Sequence, residues 1–312
     1  MRALEPIPRS LMALAFREEG LLSAVQCDEV GLGAGRRGRL ISRGEWSRVT
    51  QGVFDTAPRR DRRRDADHRR RRSAWIGLLA YGPDALAVGS CALVLLGAAG
   101  LPTDITPEVA LPGGSRRQSR DGVRVRHFAG MELAHVGSRS VAALESALVQ
   151  ALPDLPRRHG IAVLDDVLRR GMLTSSGLVR VRDGLCGRRD ARRVRGWFDL
   201  VDARSESPLE TFARLECVDG GVPPDELQVE IRSSSGGFLG RGDLGWRLPS
   251  SRWLIAEIDG REFHERTDAL LHDRHRQNAL ILSGQVDLLR FTSRDVATRG
   301  ALPTAIRRAL AR

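Results

Sequence analysis

Residues 240–264, GRGDLGWRLPSSRWLIAEIDGREFH, constrain this chain more than any other stretch. Apolar Ile, Leu and Trp alternate with polar residues at period two on both sides of Pro249-Ser250-Ser251, the pattern of two strands joined by a tight turn. With those three residues as the loop, Leu248 faces Arg252 and Asp243 falls opposite Glu257. Opposed residues carry their Cβ atoms roughly 4.5–5.5 Å apart on one face. Asp259, two residues beyond Glu257, points to that same face. Three acids on one face repel each other unless a cation intervenes, so the register itself points to a divalent metal held by Asp243, Glu257 and Asp259.

The flanks extend this hairpin into a domain over residues 205–312. Ser207 is placed to cap a helix with Pro208 in its first turn and Glu210 at the third position, a capping-box arrangement. Glu210 stabilises a helix N-terminus on its own, and it also projects from the helix as a candidate site acid. Gly220-Gly221 ends that helix. A strand at 227–232, the hairpin, a helix at 268–282, a strand at 286–292 and a terminal helix at 303–311 follow. That order predicts an α/β sandwich with a mixed sheet.

The rest of the chain is basic. Every one of the 50 Lys+Arg residues is arginine, against 39 Asp+Glu, for a net charge of +11. GC-rich codon usage is one source of such a bias; in either case the surface consists of planar forks suited to phosphate. Residues 205–312 hold 15 Arg and 16 acids, leaving 35 Arg and 23 acids in residues 1–204. A basic front part and a near-neutral, carboxylate-bearing rear part suit a protein that grips nucleic acid with one part. A merely solvated arginine-rich surface is the plainer alternative.

Residues 1–57 read as a winged helix-turn-helix: helices at 10–19 and 23–30, a basic third segment at 36–44, and a hairpin formed by Trp46–Val49 and Gly52–Phe54. The third segment is the expected recognition helix, offering Arg36, Arg37, Arg39 and Arg43 to a major groove, with Arg48 on the wing. Winged helices also serve protein contact. Residues 58–204 read as a mostly helical, basic connecting region without a catalytic constellation. Its charge run, 58–72, holds nine arginines, three aspartates and one histidine, and fits a solvated helix start or a basic arm along a backbone. The apolar run 85–101 is expected as a buried helix, just short of a membrane span. Residues 122–128 alternate like an exposed strand, and 140–151 and 161–170 carry helical periodicity. Four cysteines without C-x-x-C spacing indicate neither a zinc site nor a disulfide framework and fit a reducing cytoplasm.

The order helix, three strands, helix, strand, with an acid in the second strand and Glu257-Ile258-Asp259-Gly260 in the third, resembles the PD-(D/E)XK nuclease superfamily. More closely, it is similar to an uncharacterised-domain family related to the very-short-patch-repair endonucleases, with the restriction-endonuclease-like fold. The matching residues are Ser207-Pro208-Leu209-Glu210, Gln228, Gly242-Asp243-Leu244-Gly245-Trp246, His264, Asp273-Arg274, Asn278 and Leu289-Arg290-Phe291-Thr292. The N-terminal part resembles the AbiEi antitoxin winged helix. The first resemblance implies Mg²⁺ or Mn²⁺ on Asp243 and Glu257, with Glu210 completing the shell or accepting a proton and Gln228 positioning water or phosphate. In the superfamily the third motif ends in lysine. This chain has Asp259 there and no lysine anywhere, so that electrostatic work would pass to His264, Arg274 or a second metal on Asp259.

The readings that remain are a metal-dependent DNA endonuclease, a non-catalytic antitoxin-like DNA-binding regulator with a toxin gene as its neighbour, and a protein-interaction adaptor. DNA is the expected partner in the first two, with no membrane role.

Overall fold

The computed structural model describes residues 6–58, 65–113, 115, 117–128, 130–233, 235–249, 252–260 and 284–312. The protein is a multidomain α+β chain of two compact units, Met1–Leu155 with Leu173–Arg195, and Pro156–Met172 with Gly196–Arg312.

The first unit begins with α1 (Arg9–Arg17), β1 (Leu21–Ser23), α2 (Ala24–Glu29), α3 (Ala34–Ser42), β2 (Ser47–Thr50) and β3 (Val53–Asp55). The strands form an antiparallel sheet in the order β1-β3-β2. This is the expected winged helix-turn-helix arrangement, with β1 as an added strand. Ser23 ends β1 and caps α2, its side chain and Gln26 forming a reciprocal capping box. Leu22, Cys27, Leu32, Leu40 and Trp46 close the core beneath.

Asp65 caps the next helix, α4 (Ala66–Tyr81), accepting from the His68 N–H at 2.6 Å. Residues 59–64 of the charge run lie outside the described residues. Of the remainder, Arg71 donates to Glu19 at 2.6 Å, Arg72 to Asp55 at 2.8 Å and Arg70 to the Leu101 carbonyl at 2.6 Å. Arg70 also pairs with Asp67, three residues back, at 2.6 Å, the neighbour spacing expected of a helix start, and these arginines in addition fasten α4 to its surroundings.

The middle region carries the expected helices and, in addition, strands that the sequence reading mostly did not expect. It builds a mixed five-stranded sheet, β6-β5-β4-β8-β7, from β4 (Leu86–Ala87), β5 (Glu108–Ala110), β6 (Arg124–Arg126), β7 (Leu133–Val136) and β8 (Arg139–Ala142). The apolar run 85–101 divides between β4 and α5 (Gly89–Leu95) because Gly89 turns the chain at φ +51, where a Cβ would stand 2.2 Å from Glu108 Oε1. Strands this short show no period-two pattern, which is why the sequence reads as helix. The unit also contains α6 (Leu144–Ala151), α8 (Ser175–Gly184) and α9 (Ala191–Arg195); Thr174 caps α8, accepting from the Gly177 N–H.

The second unit contains α7 (Arg157–Arg169), α10 (Pro208–Asp219), β9 (Glu226–Arg232), β10 (Phe238–Arg247), β11 (Trp253–Asp259), β12 (Val286–Thr292), α11 (Ser293–Ala297) and α12 (Ala301–Leu310). The sheet order is β12-β11-β10-β9, antiparallel except for the parallel β11–β12 pair, the expected mixed sheet. Leu244, Trp246, Leu254, Ala256 and Ile258 pack with Ala213 and Cys217 of α10 and Leu302 and Ile306 of α12. Val229, Ile231, Ile255 and Val286 form a second cluster. The expected helix at 268–282 lies outside the described residues, as do Ser250 and Ser251 of the turn. No helix among the described residues is long and apolar enough to cross a membrane.

Candidate carboxylate site

The hairpin register is the one counted back from the turn. Leu244 pairs with Ala256, Gly245 with Ile255, Trp246 with Leu254 and Arg247 with Trp253, and the Leu248 N–H donates to the Arg252 carbonyl at 2.9 Å. One further step sets Asp243 against Glu257, but the ladder stops before it. Hydrogen-bonded pairs alternate along antiparallel strands, so the Ile258 N–H is due to meet the Gly242 carbonyl. It donates instead to Asp243 Oδ2 at 2.7 Å. The Asp243 carboxylate thus takes the place of a backbone carbonyl, and β10 and β11 part there.

The neighbouring strand breaks its pattern at the facing position. Leu227 belongs to the α10-side core, while Val229, two residues on, belongs to the other cluster. The shift occurs at Gln228, which holds φ at +56, a conformation rare for a residue with a Cβ. The β9–β10 register pairs Gly242 with Val229 and Leu244 with Leu227, passing over Asp243 and Gln228 between them. Gly242 and Gly245 let the strands close in around this point. A Cβ at 242 would stand 2.2 Å from Ile255 Cγ2, and one at 245 would stand 2.5 Å from Val229 Cγ2.

Glu210 reaches the same place from α10. Ser207 caps the helix, accepting from the Glu210 N–H at 3.2 Å. The Glu210 carboxylate accepts from the Glu206 N–H at 2.8 Å and from the Gln228 amide at 2.8 Å, both on Oε2. Gln228 Oε1 is shut off from solvent and accepts no hydrogen bond among the described residues. Burial pushes the Glu210 carboxyl above its ordinary value, with the Asp243 charge adding to the effect and the Glu206 N–H opposing it. Burial also raises the Asp243 carboxyl, helped by Glu206 and Asp259 and opposed by the Ile258 N–H and Arg241.

Glu257 is buried, at 6% exposure, whereas Asp259 is half-exposed. Arg290, opposite Glu257 in the parallel β11–β12 ladder, spans the two. Its Nε and Nη2 donate to the Asp259 oxygens at 3.0 and 2.9 Å, and Nε stands 3.6 Å from Glu257 Oε2. On the other flank, Arg241 donates to Glu206 at 2.7 Å.

Glu210, Gln228 and Asp243 therefore meet, with Glu257 and Asp259 beside them on β11, and His264 and Arg274 lie outside the described residues. Among the described residues no three carboxylate, histidine or cysteine groups are gathered to hold a metal, so the three-acid shell expected of Asp243, Glu257 and Asp259 is not formed. Both Asp259 oxygens are given to Arg290 instead. Among the described residues the candidate ligands around Asp243 are oxygens, and the sheltered Gln228 Oε1 and the raised carboxyls are groups that a hard divalent cation would satisfy. Sequence reading missed Arg290, Arg241 and Glu206 as site groups. The signal for Arg290 was its alignment with Glu257, which only the parallel pairing reveals.

The expected recognition helix requires one correction. Arg37 is buried, paired with Asp28, donating to the Leu32 carbonyl at 2.8 Å and stacked 5.6 Å from the Phe54 ring centre. It belongs to the core. Arg39, Arg43 and Arg48 are exposed, and Arg36 is half-buried.

Fold and site together define a two-unit α+β protein with a winged helix-turn-helix in one unit and a carboxylate-bearing mixed sheet in the other. No family model matches the chain. Two uncharacterized proteins of Mycobacterium tuberculosis, MT2308 and Rv2248, are each 31% identical to it over 216 residues, covering 65% of this chain and 78% of theirs. The chain belongs to their family.

Proposed function

We propose that the protein is a metal-dependent endonuclease-like hydrolase of DNA phosphodiesters, with DNA placed by the winged helix-turn-helix. The observation that carries this reading is the meeting of Glu210, Gln228 and Asp243 where the sheet opens beside Glu257. Asp243 and Glu257 would hold Mg²⁺ or Mn²⁺, two carboxylates being enough for an ion that keeps several waters. When bound, the ion supplies charge to the scissile phosphate and acidity to a water. Glu210, its proton affinity raised by burial, would serve as the proton acceptor. Gln228 holds Glu210 in position through its amide and offers Oε1 to orient water. Arg39, Arg43 and Arg48 supply phosphate contacts from the first unit. Buried thiols at Cys27, Cys91 and Cys217 suit a cytoplasmic setting.

The test is a Mg²⁺ and Mn²⁺ titration with supercoiled, linear, mismatched and single-stranded DNA, run beside Glu257→Gln. Cleavage by the native chain and its loss in a folded Glu257→Gln variant are expected. Cleavage that persists in both Glu257→Gln and Asp243→Asn rules out this site.

A second reading, an antitoxin-like DNA-binding regulator, draws support from the engagement of Asp259 by Arg290 in a chain without lysine. It predicts salt-sensitive, sequence-selective binding and no metal-dependent cleavage.

A further inference from the structure

The end of α8, the turn after it and α9 gather positive charge on one exposed stretch. Residues 180–195 hold seven arginines and two aspartates. Glu145 takes Arg180 in a bidentate contact, and Asp183 and Asp190 stand beside Arg182 and Arg189 at 3.8 and 3.7 Å. Arg188, Arg192 and Arg195 are exposed, and among the described residues no acid stands within ion-pairing distance of them. Arg188 is held from within: its Nε donates to the Gly184 carbonyl at 3.1 Å, and its guanidinium lies 5.9 Å from the Phe128 ring centre. Both of its Nη groups are left for an outside acceptor. Arg193 turns the other way, donating to the Pro153 and Leu155 carbonyls at 2.6 and 3.2 Å, and Val194 is buried. With that side of α9 fixed inward, Arg192 and Arg195, three residues apart, share the outward face.

Other arginines of this unit fasten its elements. Arg72 binds Asp55, Arg126 binds Glu108 and Asp154, and Arg117 and Arg120 donate to the Tyr81 and Ala80 carbonyls. Like charges at helical spacing destabilise a helix, and an external anion would offset that cost at α9. Leu185 and Val194 are buried, which leaves neither as an apolar anchor for a lipid surface. Planar guanidinium forks match the oxygens of a phosphate backbone. We propose that Arg188, Arg192 and Arg195 form a second nucleic-acid surface, which grips phosphates without reading bases and acts beside the winged helix. The inference rests on the DNA-binding reading above.

Cys186, two residues before Arg188, supplies a local reporter, because it is exposed while Cys27, Cys91 and Cys217 are buried. Duplex binding by the full chain is followed by fluorescence anisotropy across a salt series, and maleimide alkylation of Cys186 is followed with and without the duplex. Arg188→Gln, Arg192→Gln and Arg195→Gln combined are expected to reduce the slope of log affinity against log salt by about 2–3, at roughly 0.9 per phosphate contact. The loss should be the same for every duplex sequence, and duplex should protect Cys186 of the native chain. An unchanged slope in the triple variant overturns the proposal, and the DNA-binding reading stands if Arg39→Ala still weakens binding. A reduced slope with Cys186 unprotected in the native chain assigns the loss to net charge alone and also overturns it. Should the triple variant fail to fold, protection of Cys186 in the native chain decides. If the native chain binds no duplex, or binds phosphatidylserine vesicles in its place, both readings fall.

Discussion

Arg214 of α10 stands 2.9 Å from the Asp165 carboxylate of α7, with both side chains almost wholly buried. Thr211 Oγ1 donates to the same oxygen at 2.8 Å, and the Asp202 N–H donates to the other at 2.8 Å. This network ties α7 to the carboxylate-bearing unit, although sequence reading assigned α7 to the connecting region.

Removing one partner strands the other. Arg214→Met is expected to cost about 3–5 kcal/mol, because it leaves Asp165 buried without its cation. Urea unfolding of the full chain measures this. A loss near zero would mean that the Asp202 and Thr211 donors satisfy Asp165 unaided.

The same carboxyl sets a pH dependence. Burial pushes Asp165 from its ordinary 3.8 up to about 6, so between these values the folded state binds the proton that the unfolded chain releases. Its contribution is therefore most favourable below pH 3.8 and is lost as pH rises towards 6. The Asp165→Asn variant should lose this falling component of unfolding free energy across that window. Parallel stability profiles for the two proteins would show the group to be silent.

At the site, Gln228 carries a positive φ that glycine adopts without cost. Gln228→Gly is expected to change stability by no more than about 1 kcal/mol, relief of strain offsetting the lost bond to Glu210. Cleavage should fall all the same. A variant that unfolds well below the native temperature would show that the amide, not the backbone, holds this bend.

Gly245 is a packing requirement. Alanine there drives a Cβ against Val229 and Trp253 and should cost roughly 1–3 kcal/mol by overpacking, read by chemical denaturation. A neutral result would mean that the two strands separate freely.

In the winged helix, Arg37 and Arg39 should part company. Arg37→Ala is expected to lower the melting temperature, since it leaves Asp28 and the Leu32 carbonyl without their donor. Arg39→Ala should leave melting unchanged, weaken DNA binding and reduce the salt slope by about one, as fluorescence anisotropy would show. Equal effects on melting would remove the distinction.

Local physics was written in the sequence. Period-two alternation around a three-residue turn determined the register of the 240–259 hairpin, because a slip by one residue would expose the core face. Ser207-Pro208 began α10 and Gly220-Gly221 closed it for the same local reasons. Winged-helix elements were legible in their turns and apolar spacing. What tertiary structure decided is the use of the acids. Asp243 replaces a backbone carbonyl because Gln228 and the neighbouring strand shift phase beside it. Arg37 is a core residue because α2 and the wing close over it. Arg290 meets Asp259 because β12 pairs in parallel with a strand 27 residues earlier at the Asp259–Val286 gap. Alternation within a strand predicts which face a side chain takes; it carries no information about which distant strand lies alongside, and the Arg290–Asp259 contact depends on that pairing.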